Sequence, residues 1–295
     1  MSDNTDQIAN LQSPGGNPLQ KHFRQPKIYL KLPSSGKYWT PGSLSLPDNG
    51  EVPVFAMTAK DEIQMKTPDA LMNGQSTVDV IQSCIPNITD AWNCPSIDLD
   101  AILVAIRIAT YGEKITVKGI VPNTEIEKEY ELDLRQLLDN YLAMDFEDVL
   151  QAGDFLVQIR PMNYRQFTKL ATKTFEEQRI ISIVKDQDIP ESEKLDRFNK
   201  VFANITALNV EMIADSITAI QYKDEDPVTN KKHINEFISN ADATIFNSIK
   251  SHVEALRDRF TSQPIKVDST EEEIEQGAPP RYEVPMQFDH SNFFV

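Results

Sequence analysis

Carboxylates are the commonest reactive side chains in this chain, and two pairs stand two residues apart: Asp98 with Asp100, and Glu125 with Glu127. A glycosidase needs two carboxylates flanking the bond it cleaves. Among 45 acidic residues such pairs arise by chance, and no polar constellation converges on these. There is no glycine-rich phosphate loop, no nucleophile elbow and no HExxH pair. Cys84 and Cys94 do not lie at ligand spacing with His22, His233, His252 or His290, so neither a metal nor another cofactor is expected. The two cysteines are expected as free thiols of a reducing compartment. The expectation is a protein that is not an enzyme.

The residues left over are suited to binding. Arg107 sits amid apolar residues. It either receives a partner's carboxylate or forms an internal ion pair, with Asp61 as one choice. Tyr38 and Trp39, in SSGKYW, serve either as an interface anchor or as a turn cluster packed on its own sheet. Phe288, Phe293, Phe294 and Val295 close the chain in a polar surrounding with no local core to enter. They dock either on this chain or on another subunit.

The net charge is −16, from 29 basic and 45 acidic residues. Nucleic-acid backbones and anionic membranes select basic patches, so neither is an expected partner. No apolar run reaches the ~20 residues of a membrane span, and the first twelve residues do not resemble a signal peptide. The composition suits a chain whose partners are proteins.

Residues 97–112, IDLDAILVAIRIATYG, are the stretch on which the other elements must pack. Leu99, Ile102, Leu103, Ile106 and Ala109 recur at helical spacing. Val104, Ala105 and Ile108 widen that face until the helix is apolar nearly all round. Ser96 or Asp98 is the expected cap, and Gly112 fits the left-handed position after the last turn. Ile28, Leu30 and Leu32, then Val52, Val54 and Ala56, alternate as short strands. Thr67-Pro68 starts a helix that Gly74 ends, and Ser76 with Asp79 resembles a capping box for the next one. A hairpin follows Gly112, a short helix spans Leu134 to Tyr141, and a strand ends before Pro161.

After Pro161 the period changes from two to 3.6. Tyr164, Phe167, Leu170 and Phe175 read as one amphipathic helix, and Leu195, Phe198, Val201, Phe202, Ile205 and Leu208 as another that continues through Ile220. The expected fold is therefore α+β: a mixed N-terminal half with short antiparallel strands around a buried helix, then an all-helical half. The expected divisions are a disordered arm at 1–25, with Phe23 anchoring its end, a mixed domain at 26–161, a helical domain at 162–262, and an acidic mobile linker with a docking tail at 263–295.

Three blocks carry a family resemblance: IYLKLPSSGKYW, then FAMTAKDEIQMKTPDALMNGQSTVDVIQSCIPN, then DLDAILVAIRIATYGEKITV. Together they resemble the T4-type bacteriophage baseplate hub protein family, most closely over residues 28–138, and FDHSNFF is similar to the family's C-terminal ending. The resemblance implies a non-enzymatic hub subunit or hub assembly chaperone. It implies other phage baseplate hub proteins as partners. It also implies assembly in the host bacterial cytoplasm, with the virion tail baseplate as the alternative location. A tail-associated cell-wall hydrolase, or a chaperone of another phage structural protein, is the competing reading.

Overall fold

The computed structural model describes residue 19 and residues 23–66, 74–186, 191–260 and 265–284. Strands β1 (Pro26–Lys31) and β2 (Glu51–Phe55) pair antiparallel, with Ile28 opposite Val54 and Leu30 opposite Val52. Those four side chains point inward while Tyr29 faces solvent, as period-two alternation requires. Helix α1 (Ala59–Met65) begins with a capping box between Thr58 and Asp61. Helix α2 (Gln75–Cys84) starts from Gly74 in the left-handed region, and no capping box forms at Ser76, whose hydroxyl donates to the Gln64 carbonyl. The helix expected from Thr67-Pro68 lies outside the described residues.

Helix α3 (Ser96–Tyr111) is the buried centre. Ile102, Ala105 and Ile106 are wholly inaccessible, and β1, β2, α2 and helix α4 (Leu134–Ala143) pack round them. Each large aliphatic side chain buried there is worth about 1.5–3 kcal/mol. Gly112 has φ +95° and closes the helix. Between α3 and α4 the chain forms the hairpin of β3 (Lys114–Ile120) and β4 (Glu127–Asp133).

A second core gathers on β5 (Val149–Ala152), β6 (Phe155–Ile159) and the elements that follow. Two long antiparallel helices, α5 (Tyr164–Asp186) and α6 (Glu191–Ser216), lead into strand β7 (Ile217–Tyr222), which completes a sheet in the order β5-β6-β7. Helices α7 (Lys231–Asn240) and α8 (Ala243–Phe260) cover it through Ile234, Ile238 and Ile249. The fold is α+β, but the half after Pro161 is not all-helical: β7 corrects that expectation. Ile213, Ile217 and Ile220 continue the spacing of α6, which is why period alone extends the helix. In the sheet, Ile159 pairs with Ile217 and Gln158 with Ala219, so Thr218 is an extra residue. This bulge brings both Ile217 and Ile220 to the buried face at a spacing of three. Lys231 secures the abrupt change from helix to strand. Its ammonium donates to the carbonyls of Ala214, Asp215 and Ile217 at 3.1, 3.0 and 2.6 Å, where the helix dipole favours a cation.

The stretch expected as a mobile acidic linker is also corrected. Strands β8 (Ile265–Asp268) and β9 (Arg281–Val284) pair antiparallel, and the short helix α9 (Glu271–Glu275) joins them. Thr270 caps α9 in a capping box with Glu273. The module packs on the β3–β4 hairpin through a small core of Val121, Tyr130, Ala278, Tyr282 and Val284. At the other end of the chain, Phe23 is exposed, and Arg24 does the anchoring expected of it. Arg24 donates to the Ala56 carbonyl at 2.6 Å and the Ser83 carbonyl at 2.6 Å, and lies 3.5 Å from Asp61.

Candidate protein-protein interfaces

Trp39 belongs to the first core and is 9% exposed. Its indole nitrogen donates to Asp98 Oδ2 at 2.7 Å, and the same carboxylate accepts from the Ser34 amide at 2.7 Å and the Ser34 hydroxyl at 2.5 Å. Of the two sequence readings, the turn cluster describes its position, because a side chain spent on its own core has little surface left for a partner. Asp98 is thereby not a cap of α3 but a fully buried acceptor. Burial pushes its carboxyl up to about 6, against the opposing pull of its three donors.

Tyr38 is half-buried at the junction of the two cores. Its hydroxyl donates to Asp148 at 3.3 Å, and its ring meets Phe146 edge-on at 5.3 Å. Phe146 in turn touches Phe260 at the end of α8. Lys37 Nζ lies 2.5 Å from Asp148, whose carboxyl that hydrogen bond holds below its ordinary value. Phe288, Phe293, Phe294 and Val295 lie outside the described residues.

Arg107 is buried, and its guanidinium lies 4.5 Å from the centre of the Tyr111 ring. Cys84 and Cys94 are free and buried. Burial pushes the Cys84 thiol up to about 12 and Cys94 well above its ordinary value, so neither is a thiolate at neutral pH. Among the described residues no group of three His, Cys, Asp or Glu side chains is placed to hold a metal ion.

Among the described residues, Phe167, Phe175, Leu195 and Phe202 are exposed large apolar side chains on the α5–α6 hairpin. Its base is fixed on both cores. Tyr164 stacks on Trp92 at 5.6 Å and its amide donates to the Cys94 carbonyl at 2.8 Å, while Met212, Ile213 and Ala214 enter the second core. Farther out, Val201 is the single buried residue between 193 and 211 among the described side chains. Sequence reading assigned one apolar stripe to each helix. On α6 a second row, free of charge but mostly polar, runs beside the apolar one. Phe198, Val201, Ile205, Leu208 and Met212 follow a 3-4-3-4 spacing along the seam with α5. Leu195, Asn199, Phe202, Thr206 and Asn209 follow a 4-3-4-3 spacing beside it, and all five are exposed, Phe202 by 62%.

Helix geometry places Phe167 of α5 and Phe202 of α6 on the same side of the hairpin. At about 100° per residue, Phe167 lies roughly 75° round α5 from its seam, and Phe202 roughly 80° round α6 from its own, in the same rotational sense. Because the helices are antiparallel, that shared sense is a shared side. Lys169 and Glu211 depart from the seams in the opposite sense and meet at 3.5 Å on the other side, as the geometry requires. The polar side also holds a cleft of about 70 Å³ lined by Met162, Gln166, Leu170 and Met212, too small for a substrate-sized ligand. The other side carries Phe167, Ala171 and Thr174 from α5 beside the five residues from α6, with no charge among them. Depletion of charge is a mark of interface centres. Two adjacent heptad positions filled without charge was the sequence signal for a second face, and a reading in single stripes missed it.

An α+β body thus holds a helical hairpin by its base, and among the described residues large apolar side chains on that hairpin are exposed. The chain belongs to the family described as T4 bacteriophage base plate protein, which matches residues 25–276. Its role is structural and associated with the phage baseplate, among other baseplate proteins. No curated protein and no solved structure matches the chain. No helix among the described residues is long and apolar enough to cross a membrane.

Proposed function

We propose that the protein is a hub subunit, or the assembly factor of the hub, of a contractile-tailed T4-type phage. It acts without catalytic turnover, by holding other hub proteins. The observation that carries this reading is the amount of large apolar side chain left uncovered: Tyr29, Ile120, Phe167, Phe175, Leu195 and Phe202. Uncovered apolar area of this kind marks contact surfaces. Family membership supports the setting, and the resemblance over residues 28–138 supports the hub within it. Tyr38 beside Phe146, and the terminal Phe288, Phe293, Phe294 and Val295, are the proposed partner contacts outside the hairpin.

The test is mass spectrometry of purified virions together with co-purification from infected cells. Stoichiometric presence in particles identifies a hub subunit. Absence from particles, with hub proteins co-purifying from the cell, identifies an assembly factor. Co-purification with tube or capsid proteins alone overturns the hub assignment. Turnover of peptidoglycan by the purified chain overturns the non-enzymatic reading.

A further inference from the structure

We propose that Met286, from the chain's own C-terminal segment, covers Val117 and Leu132 on the inner face of the β3–β4 hairpin. The contact fixes the point from which the terminal phenylalanines leave this chain. It deepens the proposed function, which counts those residues among its partner contacts, and the contact itself does not depend on the hub.

The gap is visible in the burial of the hairpin. Ile115, Val117 and Gly119 of β3 stand opposite Leu132, Tyr130 and Lys128 of β4 and share the inner face. At the base, Ile115 packs on the first core. Toward the tip, Tyr130 and Val121 are buried with Tyr282, Val284 and Ala278 in the small core. Val117 and Leu132 lie between, on diagonal positions, and join neither core; both are only half-buried. Each keeps apolar area in water that one more apolar side chain would remove.

The position of the last described residue supplies the occupant. In β9 the buried Tyr282 and Val284 alternate with the exposed Arg281 and Glu283. Val284 reaches Gly119: a methyl group placed there would lie 3.7 Å from its Cγ1. Val117 is two residues from Gly119 on the same face, about 7 Å along the strand. Met286 is two residues from Val284, the same ~7 Å of extended chain, and period two assigns it to the face of Tyr282 and Val284. Pro285 between them favours that course. Its ring fixes φ at a value that extended backbone accepts, and it disfavours helical backbone at Val284. Toward the tip the inner face is already filled, with Val121 at 0% and Ala278 at 5% exposure. Val117 and Leu132 are where a further side chain gains contact. An unbranched methionine suits such a gap. Phe288 comes another ~7 Å on, past the gap, where Ile115 is already packed, and with Phe293, Phe294 and Val295 it is left to a partner.

Cysteine trapping in the full-length chain tests this. Cys84 and Cys94 are buried thiols, so introduced cysteines react in their place. With Val117→Cys and Met286→Cys together, mild oxidation is expected to join positions 117 and 286 within one chain, as read by peptide mass spectrometry. With Thr116→Cys and Met286→Cys, position 116 faces outward, and joining is expected to be at least about tenfold slower. Equal rates, or no bond from position 117, overturn the proposal. A bond that forms only between two chains also overturns it, by filling the gap from another copy. Met286→Asp gives a second reading without cysteines. Amide exchange at residues 115–119 and 130–132 is expected to rise about tenfold or more, and unchanged exchange overturns the contact. A bond between positions 117 and 286 in a chain that binds no hub protein upholds this contact and counts against the hub reading alone.

Discussion

Trp39 gives its indole proton to Asp98 at 2.7 Å, across 59 residues of sequence, and so ties the turn after β1 to the first turn of the buried helix. The carboxylate that receives it has no contact with water, and it stands at the start of the helix that the whole N-terminal half surrounds. Its protonation is therefore linked to folding.

The folded carboxyl of Asp98 is pushed up to about 6 from an ordinary 3.8. Between those values the folded chain binds more protons than the unfolded one, so stability falls as pH rises through the window. For Asp98 alone the loss approaches ~3 kcal/mol by neutral pH. Asp100, raised by burial to about 6, adds to the same slope. The melting temperature is expected to fall from pH 4 toward pH 7, with the flatter profile in Asp98→Asn. Thermal melts of both proteins across that range check it, and identical slopes would remove Asp98 from the account.

Ile106→Asp is expected to abolish recovery of folded protein. Ile106 has no accessible surface, and an unpaired carboxylate there costs several kcal/mol against a total stability of roughly 5–15 kcal/mol. A soluble variant with an unchanged melting temperature would show that α3 is not the centre of the fold.

The Tyr130 and Tyr282 hydroxyls share a hydrogen bond of 2.8 Å in the small core under the C-terminal module. Removing one leaves the other buried without its partner, at a cost of about 1–3 kcal/mol. Tyr282→Phe should loosen that module locally. Amide exchange in residues 265–284 is expected to speed up by about tenfold or more while the main melting transition holds. Unchanged exchange there would mean that the apolar contacts alone hold the module.

Deleting residues 291–295 separates the two readings of the terminal phenylalanines. Loss of hub-protein binding at an unchanged melting temperature is expected if the tail docks on a partner, with each phenylalanine contributing about 1.5–3 kcal/mol on burial. A lowered melting temperature would place the docking within this chain. No change in either would make the segment a passive end.

Local pattern by itself determined a good part of this protein. Alternation at Ile28, Leu30, Val52 and Val54 made β1 and β2, and the apolar face through Leu99, Ile102, Leu103, Ile106 and Ala109, broken only by Asp100 and Arg107 between its members, made α3 the centre, because both periods follow from backbone geometry and need no distant partner. The three sequence blocks also pointed to the family. What only the tertiary structure decided depended on partners far along the chain. The apolar spacing of Ile217 and Ile220 suits a helix equally well, and it becomes a bulged strand because β6 offers a ladder beside it. The acidic stretch after residue 263 looks like a linker until Lys128 reaches Glu273 at 2.7 Å and Tyr130 meets Tyr282. Trp39 has the composition of an interface anchor and the position of a core residue, because Asp98 lies where its indole points. Sequence period fixes which face of an element is apolar. Which apolar faces remain uncovered, as on the α5–α6 hairpin, is settled only when every other element has taken its place.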